Sequence, residues 1–371
     1  MILSAQRREA AEGRRVRATT RGRDDGLPGG ISRPSILAPP SEYFSLAAGV
    51  LAFTTGAIAQ SVVDRPPNLK PLPASNLSLV ADTAGNSTLR FDTTSWNKGT
   101  GPLQLEAGPV DTGSGKQQVF QRVSLSDGTS FLRLAGYFEW HPAPNHFHFD
   151  DYALYTLQPV NAPGGSERTG SKTTFCVMDT TKIDTSLPGA PGQAVYSTCG
   201  RTIQGMSVGW GDTYGAHLAG QEIDFTGNAD GMYQLKIEID PKKVIIESDE
   251  TDNVSCALIS IKKPNTVTVL DSSGSCSTAV SISPNTAQVG STVQVTITGY
   301  GFTDGMSVTF EGGNGPRPIA SNVRLASDTA TLDMITATVT VPPKKRGGRN
   351  PVWDVRVGSG GVLPNAFTVT D

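Results

Sequence analysis

Three of the four histidines in this 371-residue sequence fall within eight positions of the stretch WHPAPNHFHFDDYALYTL, residues 140–157. A His-x-His pair on an extended strand sends both imidazoles to one face, a few ångströms apart, which suits one transition-metal ion. His146 and His148 form such a pair, with Asp150 on their side and Phe147, Phe149 and Asp151 on the other if the segment stays extended. A third ligand is needed. His141 could return across the bend at Pro142-Ala143-Pro144, or His217 could approach from a distant segment. Imidazole-rich sites suit copper, zinc or nickel, and histidines that only hydrogen-bond at a strand end are the competing reading. A second cluster lies in IIESDETDN (245–253), where Glu247, Asp249, Glu250 and Asp252 put four carboxylates within six residues. Crowded hard oxygen donors attract Ca²⁺, although a solvated acidic turn has the same appearance.

The elements that must position these groups are strands. With 41 glycines and 25 prolines set between aliphatic and Thr/Ser-rich runs, the composition points to many short strands joined by turns, an all-β fold. TLRFDTTSWNKGTGPLQLEA (88–107) predicts two strands around a turn at Asn97 to Gly101, and MYQLKIEID with KKVIIES predicts a hairpin-like pair. Residues 60–270 are expected to form one β-rich domain. A Ser/Gly-rich connector, VLDSSGSCSTA (269–279), then leads to a second domain over 277–371. A formal charge of −3 provides no global field for gathering nucleic acid or anionic lipid.

Ahead of these domains, an Arg-rich leader precedes the apolar run FSLAAGVLAFTTGAIA (44–59), which ends in the small-x-small tripeptide Ala57-Ile58-Ala59. At 16 residues the run is short for a membrane span and has the ending of a secretory signal peptide. Residues 1–59 are therefore expected to be leader and signal peptide, with a secreted or cell-surface mature chain and no stable membrane span. In an oxidising compartment, Cys176, Cys199, Cys256 and Cys276 should form disulfides. The sequence-local pairing, Cys176 with Cys199 and Cys256 with Cys276, is preferred because its second bridge would clamp one domain to the next.

WHPAPNHFHFDDYALYTL, KTTFCVMDT, YSTCG, MSVGWGDTYGAHLAGQEID and GMYQLKIEIDPKKVIIESDETDN follow one another in an order and spacing that resemble the catalytic domain of the lysyl oxidase family. TLRFDTTSWNKGTGPLQL is similar to the N-terminal strand pair of its bacterial branch, and the resemblance covers residues 66–260. It implies a β-sandwich-like, copper-dependent amine oxidase that converts primary amines, lysine side chains or small amines, to aldehydes with consumption of molecular oxygen and release of ammonia and hydrogen peroxide. The implied organic cofactor is a quinone made from a tyrosine of the chain, in the family a lysine tyrosylquinone. On this resemblance His146 and His148 take the last two positions of an H-x-H-x-H copper motif, whose first position falls on Pro144, and Tyr214 in WGDTYG matches the quinone-forming tyrosine. The region expected to hold the cross-linking lysine, GAPGQAVYSTCG, has none, leaving Lys182 as the nearest candidate and Lys172 as a second. Asp212 is a candidate base for removing the substrate α-proton, and His217 could serve as base instead of ligand. The family's calcium site maps onto Glu247, Asp249, Asp252 and Asn253, with Asn68 and the Leu69 carbonyl opposite. There Asn68 replaces an acid and Asp252 an amide, and the ion would be structural.

SISPNTAQVGSTVQVTITGYGFTDGMSVTFEGG resembles the opening of an IPT/TIG immunoglobulin-like domain, which implies a C-terminal β-sandwich acting as spacer or binding platform. The alternative function is a non-catalytic, metal-binding surface or adhesion module that keeps the fold without the quinone.

Overall fold

The structure is a computed structural model that describes residues 62–142, 145–327, 332–343 and 352–371. The expected leader and signal peptide lie outside the described residues, as does Pro144. The described residues form strands without helix, as the glycine and proline punctuation implied.

Three sheets surround a core that runs from Leu69 to Ile261. The first follows the path Ile203–Met206, Leu103–Val110, Gln117–Leu125, Ser130–His141, His146–Phe149, with Asp64–Arg65 added against Gln117–Leu125. In the second, Gly231–Ile239 is paired between Ala153–Asn161 and Val254–Lys262. The third is organised by the long strand Ser87–Asn97, which pairs Leu69–Pro71, Ser75–Ala81, Trp210–Tyr214 and Glu222–Asp224 in turn. Phe91, Phe138, Phe149, Tyr155, Phe175 and Tyr233 are fully buried between the sheets. Such side chains contribute on the order of 1.5–3 kcal/mol each on burial.

Ser87–Asn97 alternates strictly along most of its length, and its inward residues change character from Leu89 and Phe91 to Thr93 and Ser95. The last two carry hydroxyls into the interior, where they meet the hydroxyls of Tyr155 at 2.9 Å and Tyr152 at 2.7 Å. A polar floor therefore lies under one end of the core.

Two expected pairings turn out differently. The strands on either side of Asn97–Gly101 are present, but Ser87–Asn97 and Leu103–Val110 enter different sheets. The fully buried Asn97 amide explains the divergence. Its Oδ1 accepts the N–H groups of Asn68 and Gly99, and its Nδ2 donates to the carbonyls of Gly101 and Met206. KKVIIES is likewise not the second strand of a hairpin, since Gly231–Ile239 pairs with Val254–Lys262 instead. The backbone N–H groups of Val244 and Ile245 go to the Asp240 carboxylate, and that of Ile246 to Gln121. Side chains have replaced a strand partner.

The described residues between 278 and 370 form two four-stranded sheets around a core of their own, which includes Val295, Ile297, Phe310, Ile335, Val339, Trp353 and Phe367. Alternation in Asp333–Thr340, with Ile335, Ala337 and Val339 inward, is the pattern of a strand buried on one face. Both disulfides have the sequence-local pairing, Cys176–Cys199 and Cys256–Cys276.

Candidate metal and tyrosine site

The strands Ser130–His141 and His146–Phe149 are antiparallel, with His141 opposite His146 and Glu139 opposite His148. Residues directly opposite share a face, so the three histidines lie together. The Nε2 atoms of His146 and His148 are 2.7 Å apart, and the rings of His141 and His148, tilted 33° to one another, have centroids 4.2 Å apart. Thr174 sits between these two rings, its Oγ1 at 3.2 Å from His148 Nδ1 and from His141 Nε2. Burial, followed by the charges of Lys172 and the neighbouring histidines, pushes the pKa of His148 down to about 3. The ring is neutral at ordinary pH and keeps a lone pair for a metal. Three converging imidazoles without a carboxylate fit copper or zinc better than a hard cation.

Asp212 and Tyr214 are two apart on Trp210–Tyr214, opposite Ser95 and Thr93, and so project from the same face over the polar floor. The Tyr214 hydroxyl accepts the Cys176 N–H and donates to the Cys176 carbonyl, both at 2.8 Å. Its ring stands edge-on to Phe175 at 4.9 Å. Burial, reinforced by the Asp212 charge and opposed by the Cys176 N–H, raises the phenol's pKa well above its usual range. Asp212 is 3% exposed and accepts from the Met178 N–H at 3.3 Å and the Thr180 hydroxyl at 3.4 Å. Its pKa too is raised well above the usual carboxylate range, chiefly by burial. A cavity of about 10 Å³, roughly one water's worth, is bounded by Thr93, Ser95, Tyr155, Asp212 and Tyr214.

Lys172 completes the group. Its Nζ lies 5.2 Å from the centre of the Tyr214 ring and 5.0 Å from that of Phe175. Burial pushes its ammonium pKa down, and the Asp212 charge opposes the change. Its stem packs on Gly220, where φ is +80° and a Cβ would stand 3.0 Å from the lysine Cβ. Lys172, Thr174 and Cys176 thus bring an amine, a hydroxyl and a backbone clasp to the site. The two ends of this segment meet the tyrosine and its middle the histidines.

Residues 126–270 match the family model described as Lysyl oxidase. That segment holds the histidines, Lys172, Asp212 and Tyr214. Over 137 residues, 36% of this chain, the sequence is 36% identical to Lysyl oxidase homolog 1 of Homo sapiens and 35% identical to Protein-lysine 6-oxidase of Homo sapiens. It is 33% identical to Protein-lysine 6-oxidase of Sus scrofa over the same length. The matches span 22%, 31% and 52% of those proteins respectively, so the chain covers between about a fifth and about a half of their length. These findings support the lysyl oxidase family expected from the motifs.

Within the lysyl oxidase-like segment, the structure gathers His141, His146 and His148 but not His217. The latter is exposed, with its ring against Gly215. Lys182 is also apart from Tyr214. It pairs with Trp210 across the strand, its Nζ 5.4 Å from that indole, and Tyr214 is four residues, ~13 Å, further along. The lysine beside Tyr214 is Lys172, the second candidate of the sequence reading, rather than the preferred Lys182. Asp150 and Asp151 lie in a turn beyond Phe149 rather than on the histidine strand, and are paired with Lys116 and Lys242, each at 2.6 Å.

The acidic turn of the lysyl oxidase-like segment closes on the entry strand. Glu247, 9% exposed, accepts the Leu69 N–H and, at 2.5 Å, the Asn253 amide. With its Nδ2 turned toward them, Asn68 reaches the Asp252 carboxylate at 2.9 Å and the Asp249 carbonyl at 3.2 Å. The Asp249 carboxylate instead caps its own turn through Thr251. Asp240 and Glu250 join Glu247 in a cluster whose oxygens lie within 4.8 Å of one another, a participation of Asp240 that sequence spacing did not suggest. Buried Asn253 Oδ1 lacks a hydrogen-bond partner, and burial pushes the Glu247 pKa up to about 8. Both features fit a cation-binding site. Among the described residues, no helix is long and apolar enough to cross a membrane.

Proposed function

We propose that this protein is an exported, copper-dependent amine oxidase of lysyl oxidase type, acting on the primary amines of lysine side chains or small molecules. The observation that carries the proposal is the juxtaposition of Tyr214 and Lys172 with the histidines: one segment clasps the phenol at Cys176 and touches two imidazoles at Thr174. His141, His146 and His148 would hold the metal. A copper ion there would supply, with molecular oxygen as oxidant, the redox chemistry for converting the Tyr214 ring to a quinone able to accept a primary amine. Lys172, its amine made easier to deprotonate by burial and its Nζ 5.2 Å from the Tyr214 ring centre, would be the group to cross-link that ring. Asp212, oriented by Met178 and Thr180, would act as the base for the substrate α-proton once it has given up the proton that burial favours.

Around this centre, residues 60–270 form the oxidase domain and residues 277–371 an IPT/TIG-type immunoglobulin-like domain that serves as platform. Residues 1–59 direct export, which suits the two disulfides. A structural Ca²⁺ would be held by Glu247, Asp252 and the unpartnered Asn253 Oδ1, with Asn68 orienting the Asp252 carboxylate and the Leu69 and Asp249 backbone adjacent. The test is to load the mature chain with copper, label with phenylhydrazine and measure amine-dependent peroxide release. Wild type should label at Tyr214 and release peroxide, and Tyr214→Phe should do neither. Absence of both from wild type over a broad amine panel would sink the oxidase and leave a metal-binding surface module.

A further inference from the structure

Gln204 is fully buried on the strand Ile203–Met206, opposite Leu105, and none of its polar contacts is with another side chain. Its Nε2 donates to the Phe147 carbonyl at 2.8 Å and the Gly200 carbonyl at 3.2 Å, and its Oε1 accepts the Val177 N–H at 3.1 Å. Phe147 is the residue between His146 and His148. Val177 follows Cys176, whose backbone clasps the Tyr214 hydroxyl. One amide thus spans the histidine strand and the segment that holds the tyrosine. The same span is tied a second time: Cys199, disulfide-bonded to Cys176, accepts the Phe147 N–H at 3.2 Å. Both backbone groups of Phe147 are therefore held from the 199–204 segment, which also holds residues 176 and 177. Gly205 permits the close approach, since a Cβ there would lie 2.3 Å from the Leu103 carbonyl, and its N–H donates to Val177 at 2.9 Å.

We propose that Gln204 is a positioning residue that sets the separation between the histidine metal site and the Tyr214 hydroxyl. This inference rests on the reading of that centre as a copper and tyrosine pair. A redox-active ion and the ring it oxidises tolerate little slack, and groups that orient metal ligands from outside the coordination shell commonly govern affinity. Removing the amide leaves the Phe147 carbonyl and the Val177 N–H buried without that partner, and both segments gain freedom to shift.

The test uses the full mature chain and copper(II) alone as the first probe. Gln204→Met, close in volume and without either arm, should bind copper about tenfold more weakly and should label with phenylhydrazine at Tyr214 about tenfold more slowly. Gln204→Glu keeps the acceptor for Val177 but loses the donor to Phe147, so it should lose copper affinity as well; it replaces the Met variant if that one does not fold. Gln234→Met, which removes a buried amide bonded to the Cys276 carbonyl, is the control and should keep copper affinity within about twofold. Folded Gln204 variants with wild-type copper affinity and labelling rate would overturn the proposal, as would an equal loss in Gln234→Met. Should wild type bind copper yet never label, the oxidase reading fails alone, because copper affinity still decides the role of Gln204. A wild type that binds no copper overturns both.

Discussion

The histidine centre and the acidic turn, both proposed to receive a cation, bring their donor groups together in opposite ways. At the first, donors sit on paired strands, burial holds the His148 ring neutral, and a disulfide and a buried amide tie the neighbouring backbone. At the second, donors come from a turn, and a carboxylate is forced into a buried position where its charge is unfavourable. Neutral donors can wait for a metal at little electrostatic cost, whereas crowded carboxylates are strained by its absence. Metal removal should therefore silence one region and loosen the other.

The largest effect that would sharpen this contrast is expected from His148→Ala. Copper affinity measured by titration calorimetry should fall by at least about a hundredfold, while the thermal shift produced by calcium stays as in wild type. A loss of both responses would show that the two sites are not independent. Glu247→Gln comes next: without metal at pH 8 it should raise unfolding free energy by on the order of a few kcal/mol, and added calcium should no longer stabilise the protein. Urea unfolding in chelator and in calcium measures both.

The pH dependence has a definite sign. The Glu247 pKa is raised from 4.5 to about 8 on folding, so the native state holds more protons than the unfolded chain between those values. Stability of the metal-free protein should be fully present below about pH 4.5 as far as this group is concerned, and should decline as pH rises toward 8. Calcium should reverse the decline, and a metal-free profile that rises with pH and is unchanged by Glu247→Gln would contradict the burial argument. The smallest effects belong to the lysines. Lys172→Met should abolish any mass-spectrometric cross-link to Tyr214, whereas Lys182→Met, at an exposed position, should retain it and change stability by less than about 0.5 kcal/mol.

Much of this was legible in the sequence because it depends on local spacing. The all-β character followed from turn residues and alternation, and the clustering of His141 with His146 and His148 needed only a hairpin. Lys172 and Lys182 show where such reading stops. Both lie near Cys176 in sequence, and the choice between them depends on strand register: Lys182 is opposite Trp210, while the 172–176 segment passes the tyrosine. Register between distant segments is set by tertiary packing, which spacing alone does not reveal. Asp240 was missed for a related reason, since it joins Glu247 only through a chain reversal in which both Asp240 and Lys243 have positive φ. KKVIIES has the composition of a strand, but the Asp240 carboxylate and Gln121 claim its amide groups first.

Asn97 bears on where the chain could be cut. The family match begins at residue 126, yet this one side chain joins the residues on both sides of its own turn to Asn68 and to Met206. A fragment trimmed to the matched boundaries would lack the central strand that carries Trp210–Tyr214 in register. Anyone wishing to produce the matched portion by itself should start upstream of Asn68, because its buried hydrogen bonds reach well beyond the recognisable segment.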